Sequence, residues 1–399
     1  MYRKHDSINI ILLSIFHIAF TVTAIDRSYF STKNKIIIQA IITTLCCLYF
    51  MYRYYQKHKI YLPIPHFFYQ KILLLIWCMF SISVIISVLI NHQVPLSGFF
   101  YLIIIPIVFF IIIPCALDYP LNSIINSMFF SNFIVMIFVL LLSDESIFES
   151  IAFKGIIANP NSFGIIALQS FISSGFIVYL KIVNQEKNKT IYMIGSIISL
   201  GCMLSSGSRS ALLSSIIFFI PIGIVSFYRY KNTFYKWIAP VSIVISLVIF
   251  LFKDIFYNSI WLKFLSTSSH NSVLSNRNII WNQVFINSNI FGHGEKYFLN
   301  NLGIEAHNIF VQILGYYGWI SAVLLISFFS LLVVTTIIFA IKYKKNTYSL
   351  FLLSFFLCFL ALGMVESIFG AFQKNPCMIF YNLVGIILFY KQYPMKRVD

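Results

Sequence analysis

The sequence predicts an all-α, polytopic integral membrane protein, and three observations carry that prediction. Hydrophobic residues fill 59% of the 399 positions and charged residues only 10%, against about 25% charged in an average soluble domain. Mean hydropathy is +0.87. Apolar runs of about 18 residues or more recur along the whole chain. A chain this apolar cannot cover itself with polar surface, so a bilayer must be its solvent.

Reading apolar runs against polar breaks predicts about twelve transmembrane helices, near 8–25, 36–52, 72–90, 99–117, 121–142, 163–180, 190–206, 210–228, 237–252, 308–341, 349–366 and 377–390. The chain then divides into 1–252 with spans one to nine, a long polar loop at 253–307, and 308–399 with spans ten to twelve. The tenth run exceeds the roughly 20 residues of one crossing. Its start, from His307, is expected to be a short separate helix broken around Gly315 and Gly318. The first run, Ile8 to Ile25, has no small-residue cleavage site and reads as a first span rather than a leader. The seven cysteines lie within or at the ends of apolar runs, with no CxxC pair. They read as small packing residues rather than disulfide or metal ligands.

Orientation follows from Lys and Arg, which concentrate on the cytoplasmic side. With the N-terminus inside, the inner segments hold eighteen of the 28: Arg3 and Lys4; Arg53, Lys57, Lys59 and Lys71; Lys181, Lys187 and Lys189; Arg229, Lys231 and Lys236; Lys342, Lys344 and Lys345; and Lys391, Lys396 and Arg397. Twelve spans with both ends cytoplasmic are self-consistent. The net charge of +16 then reflects topology and anionic lipid, and nucleic acid is not expected as a partner. Segments 143–162, 205–210, 253–307 and 366–376 all fall on the outer face. No ionisable residue lies near mid-span except His17. Ion-coupled transporters use carboxylates at that depth, so the pattern favours a site at the outer membrane–water boundary.

Four segments on that face carry candidate chemistry. Ser205-Ser206-Gly207-Ser208-Arg209-Ser210 joins two spans by the tightest polar turn in the chain. A helix starting near Ser210 would offer free backbone N–H groups beside the Arg209 charge, an arrangement suited to phosphate. The plainer reading is a capped turn with a snorkelling arginine. Arg277 opens a run in which Ile280 with Val284 and Trp281 with Phe285 repeat at i,i+4, predicting an amphipathic helix on the bilayer surface with Arg277 able to point inward. The alternative is a solvated or headgroup-bound arginine.

His307-Asn308 sits where the loop enters the membrane. Histidine titrates near working pH, which suits a general base, although a lone histidine is more often structural. His270 and His293 match no metal-ligand spacing to His307, and no metal is expected. Asn159-Pro160-Asn161-Ser162 has a sufficient explanation as an N-cap and turn, and its amides could also contact sugar. Asp144, Glu145 and Glu149 form an acidic outer group without a pairing signal, and Glu295, Glu305 and Glu366 have the same standing.

The ordered set resembles one family. Asn159-Pro160-Asn161 precedes a span, Ser206-Gly207-Ser208-Arg209-Ser210 joins two spans, and Arg277 and Trp281 lead to Phe291-Gly292-His293-Gly294. Ala306-His307-Asn308 follows, with Gly315 and Gly318 beyond it. This resembles the O-antigen ligase and polymerase superfamily of bacterial envelope glycan assembly, mainly over 155–320. The resemblance implies a GT-C-like membrane glycosyltransferase, with no metal and no cofactor, acting on an undecaprenyl-diphosphate-linked glycan at the periplasmic face. It implies His307, Arg209 and Arg277 as catalytic residues, and Asn159, Asn161, Ser208, Ser210, Trp281 and Asn308 as substrate-binding residues. The Asn-Pro-Asn segment and the Phe-Gly-His-Gly approach to His-Asn look more like a Wzy-type polymerase. The alternatives are a ligase acting on lipid A-core, or a non-enzymatic exporter or flippase. The implied partners are lipid-linked donor and acceptor and the bilayer, with room for a chain-length regulator protein.

Overall fold

Long apolar runs become helices here because helical winding satisfies every backbone polar group within the segment, as lipid requires. The computed structural model describes residues 2–26, 28–59, 61–147, 152–229, 277–343, 346–370 and 375–389, with isolated positions between 231 and 257. The expected ninth span at 237–252 lies almost wholly outside the described residues. So do Glu149, Lys263, His270 and several of the lysines and arginines counted for orientation, among them Lys236 and Lys391.

The helices are α1 Tyr2–Thr21, α2 Thr32–His58, α3 Phe68–Ile90, α4 Leu96–Ala116, α5 Pro120–Leu142 and α6 Pro160–Val183. They continue with α7 Thr190–Ser205, α8 Arg209–Arg229, α9 Arg277–Asn287, α10 Ile309–Lys342, α11 Thr347–Gly363 and α12 Asn375–Phe389. Among the described residues, eight are long and apolar enough to cross a membrane. The shorter α7, α11 and α12, of 16, 17 and 15 residues, are also apolar. The protein is therefore a multi-pass, all-helical membrane protein. Helix starts follow local chemistry: Ser31, Asn159, Asn308 and Asn346 each accept a backbone N–H of the first turn with the side chain. Pro120 and Pro160 open α5 and α6, where a missing N–H costs nothing. Within α4, Phe100–Ile112 winds with wide π-type turns around the interior Pro106.

The tenth run breaks as expected, at Gly318, whose φ of 82° and ψ of −177° leave the helix. Only glycine takes that conformation without strain. The break releases backbone groups, and the loop before α10 meets them. His293 N–H donates to Gly315 O at 3.0 Å, Gly294 N–H to Tyr316 O at 2.9 Å, and Trp319 N–H to Asn289 O at 3.2 Å. A Cβ on Gly318 would collide with the Ile290 carbonyl and the Gly292 nitrogen.

The bundle core centres on Trp77, whose ring meets Tyr101, Phe110, Phe328, Phe369 and Tyr381 at 5.0–6.4 Å, with its indole N–H donating to Tyr101 O. These partners come from α4, α10, the 364–370 segment and α12, so one indole ties four parts of the chain together. The opposite surface is apolar as well: Ile41, Leu45 and Leu48 of α2 are 54%, 62% and 57% exposed. A row of this kind suits lipid and not water.

Contacts between connecting segments fall into two groups at opposite ends of the helices. At one end Asp118 pairs with Lys57 at 2.6 Å and with Arg53 at 3.3 Å, and Lys342 lies over the Phe67 ring. At the other, Asp26 N–H donates to Ile156 O, Gln93 accepts from Glu295 N–H, and Asn161 reaches Glu366. This grouping repeats the two-sided alternation read from the charges.

Candidate functional site

The residues brought together at the second end belong to four of the segments singled out in the sequence. Asn161, in the first turn of α6, donates through Nδ2 to Glu366 Oε1 at 3.0 Å. Ser210, in the first turn of α8, donates to the same oxygen at 3.3 Å. Arg277, the first residue of α9, holds its Nη2 3.8 Å from Oε1 and donates through Nη1 to the Val365 carbonyl. His307, just before α10, places Nδ1 3.4 Å from Glu366 Oε2. The carboxylate is almost enclosed, with a side chain 9% exposed, while Arg277 and His307 retain 20% and 29%.

Each position has a local cause. Asn159 accepts from Asn161 N–H at 2.7 Å, and this cap with Pro160 turns the Asn161 side chain to the end of the bundle. The 205–210 turn is held against α6 by a close approach at Gly164, where a Cβ would sit 2.5 Å from Ser208 Cβ and 2.7 Å from Ser206 Oγ. Gly207 takes a φ of 63° to close the turn. The Phe153 N–H reaches Ser205 O at 3.0 Å and fixes the turn from its other side. The face of α9 bearing Arg277, Trp281 and fully buried Val284 turns inward, and Phe285 is 48% exposed beside Trp319. The expected Trp281–Phe285 pairing is thus divided between the inner and outer faces.

Four of the residues expected to bind substrate make local bonds that shape the site. Trp281 Nε1 donates to Ala306 O at 2.7 Å, pinning the residue before His307. Asn308 accepts from Phe310 and Val311 N–H and donates to Met364 O at 3.0 Å, so its amide caps α10 and clamps the 364–366 turn. Ser208 is buried, accepts from Ala211 N–H and shares a 3.2 Å contact with Ser210 Oγ. Asn159 is the α6 cap. These four hold the frame, while Asn161, Ser210, Arg277 and His307 face the common carboxylate. His307 itself has a φ of 50°, a left-handed conformation uncommon outside glycine and often found where structure serves function.

Arg209 opens α8 with its charge close enough to Arg277 for the two guanidinium groups to repel one another. Arg209, Arg277 and Glu366 together carry more positive than negative charge, which suits an anionic ligand at this cluster. Among the described residues, no three His, Cys, Asp or Glu side chains gather as metal ligands would. The polar end also contains residues outside this centre. Glu295 accepts from Tyr317 Oη at 2.7 Å, and His293 stacks on Tyr297 with Nε2 2.8 Å from Asn287 O. Asp144, Glu145 and Glu305 are exposed and join none of these contacts.

Glu366 is the member that sequence reasoning left among the unassigned acids. One signal could have found it: Glu366 is the only acidic residue between 306 and 398, and it ends an apolar run on the predicted outer face. Compared with protein-family models and with curated proteins, the chain matches none.

Proposed function

We propose that the protein is a membrane glycosyltransferase that polymerises undecaprenyl-diphosphate-linked oligosaccharide repeats into a surface polysaccharide. In this reading the protein lies in the bacterial inner membrane, with the Glu366 centre at its periplasmic face and both ends of the chain cytoplasmic. The observation that carries the reading is the convergence of Asn161, Ser210, Arg277 and His307, from four separate segments, on one enclosed carboxylate beside a second arginine. A transfer from a lipid diphosphate needs such a set: fixed cations for the leaving group and a base for the incoming hydroxyl.

The chemistry is a displacement at the anomeric carbon. The acceptor hydroxyl oxygen forms the new bond to that carbon, while the bond to the diphosphate oxygen breaks and its electron pair leaves with the lipid diphosphate. Arg209 and Arg277 stabilise the charge that grows on the diphosphate. The hydroxyl proton passes to His307 and from there to water. Asn161 and Ser210 hold the carboxylate in place and offer hydrogen bonds at the mouth of the site.

Deletion of the gene tests this on a glycan gel. The polymerase reading expects surface glycan reduced to a single repeat unit, and normal long chains in the deletion strain would end it. Bare lipid A-core with accumulated lipid-linked polymer would identify a ligase instead. Lipid-linked repeats trapped on the cytoplasmic side would identify an exporter or flippase.

A further inference from the structure

His307 carries a buried Nδ1 atom with no hydrogen-bond partner within normal geometry, although its side chain as a whole is 29% exposed. Nε2, the other ring nitrogen, is not among the buried unpartnered atoms. Glu366 Oε2 lies 3.4 Å from Nδ1. That distance is longer than a formed N–H···O bond, and catalytic contacts of this kind commonly shorten only when substrate is bound. Glu366 cannot turn away, because Asn161 and Ser210 both donate to its other oxygen and Arg277 lies beside it. His307 is held just as firmly: Trp281 pins Ala306 on one side, and Asn308 caps α10 on the other.

We propose that Glu366 is a positioning residue that sets the tautomer of His307, keeping a proton on Nδ1 so that Nε2 is the lone-pair nitrogen turned toward the acceptor. A histidine whose one nitrogen donates to a fixed carboxylate presents the other as the base. When the acceptor hydroxyl gives its proton to Nε2, the ring becomes an imidazolium facing the carboxylate. Its Nδ1 proton stays in place, and the Nε2 proton then leaves to water. The same carboxylate accepts from Asn161 and Ser210 and neighbours Arg277, so one side chain fixes both the base and the cationic half of the site. The charged group beside the pair is Arg277 from α9, which in turn lies within electrostatic reach of Arg209 from α8. The inference rests on the glycosyltransferase reading for its chemistry, whereas the tautomer itself does not depend on which substrate is used.

The experiment measures 15N spectra of histidine-labelled full-length protein in nanodiscs at alkaline pH, with the His307 signal assigned by loss in His307→Asn. Wild type is expected to carry the proton on Nδ1, and Glu366→Ala to shift it to Nε2, the form free imidazoles prefer. A wild-type ring protonated on Nε2, or a tautomer unchanged in Glu366→Ala, would overturn the proposal. Should Glu366→Ala fail to fold, the wild-type spectrum still decides. In transfer assays with lipid-linked repeats, Glu366→Gln is expected to lower kcat by about 100-fold or more with KM nearly constant, and Glu366→Asp to restore part of it. Equal kcat in wild type and Glu366→Gln would also overturn the proposal. Absence of transfer in the wild type would sink the glycosyltransferase reading alone, and the tautomer measurement would then judge the pairing by itself.

Discussion

Asn161 Nδ2 and Glu366 Oε1 lie 3.0 Å apart although 205 residues separate them in the chain. The bond joins the first turn of α6 to the turn after α11, and it is the shortest side-chain contact that the carboxylate makes. A hydrogen bond to a charged acceptor contributes about 1.5–3 kcal/mol to stability. Asn161→Ala is therefore expected to lower the thermal midpoint of the protein in detergent, and Asn161→Asp to lower it further by placing a like charge against Glu366. Intrinsic fluorescence melts would check the order. An Asp variant as stable as wild type would contradict the geometry.

Arg209→Ala, Arg277→Ala and His307→Ala are each expected to abolish long-chain product with membrane protein levels intact. Losing one group that stabilises the developing charge costs roughly 10²–10³ in rate, and losing the base roughly 10²–10⁴. Glycan gels with immunoblots of membrane fractions check both halves of the statement. Arg277→Lys is expected to be as inactive as Arg277→Ala, because the guanidinium serves Val365 O and Glu366 at once and an ammonium lacks the planar fork. Full activity in the His307 variant would remove it from the mechanism.

Gly164→Ala is a predicted loss-of-function change at a residue that itself offers the site no charge and no polar side chain. The added methyl would meet Ser208 Cβ and Ser206 Oγ, pushing the turn that carries Arg209 and Ser210 away from α6. Overpacking of this kind costs about 1–3 kcal/mol. The expected result is a protein that still inserts and folds but makes little polymer. Wild-type chain lengths in this variant would mean that the turn can yield without consequence.

Gly318→Ala tests the break in α10. Alanine at a φ of 82° and ψ of −177° occupies backbone space essentially limited to glycine, at a cost of about 1–3 kcal/mol, and its methyl would also strike the 290–292 backbone. The segment holding His293 and Gly294 is expected to detach from Gly315 and Tyr316, and limited proteolysis should then cut between α9 and α10 faster than in wild type. An unchanged cleavage rate would show that the stitch is dispensable.

Much of this architecture was legible in the sequence, because bilayer solvent makes apolar run length a strong signal. The break at Gly318 could be read from a run too long for one crossing. The candidate residues Asn161, Ser210, Arg277 and His307 could be read from polarity at the predicted outer ends of spans. Their roles were harder to divide. Nothing in the local sequence says that Asn308 spends its amide on Phe310, Val311 and Met364, or that Trp281 supports Ala306. Glu366 was harder still. Its partners come from four segments, and pairings over such separations follow from helix packing, which residue spacing along one segment does not encode. The outward placement of Phe285 has the same origin: an i,i+4 repeat marks neighbours on a helix, and the packing partner decides which of them is covered.

The turn after α11 also sets an order of events during synthesis. Asn161, Ser210, Arg277 and His307 all leave the ribosome before Glu366, and each is placed in the membrane with its helix before the last pair inserts. Until that pair docks, Arg277 lacks the Glu366 carboxylate that lies 3.8 Å from its guanidinium in the folded protein. On the proposed function, the site is complete only once the turn after α11 has docked, so a chain still being inserted lacks the carboxylate on which the other four residues converge.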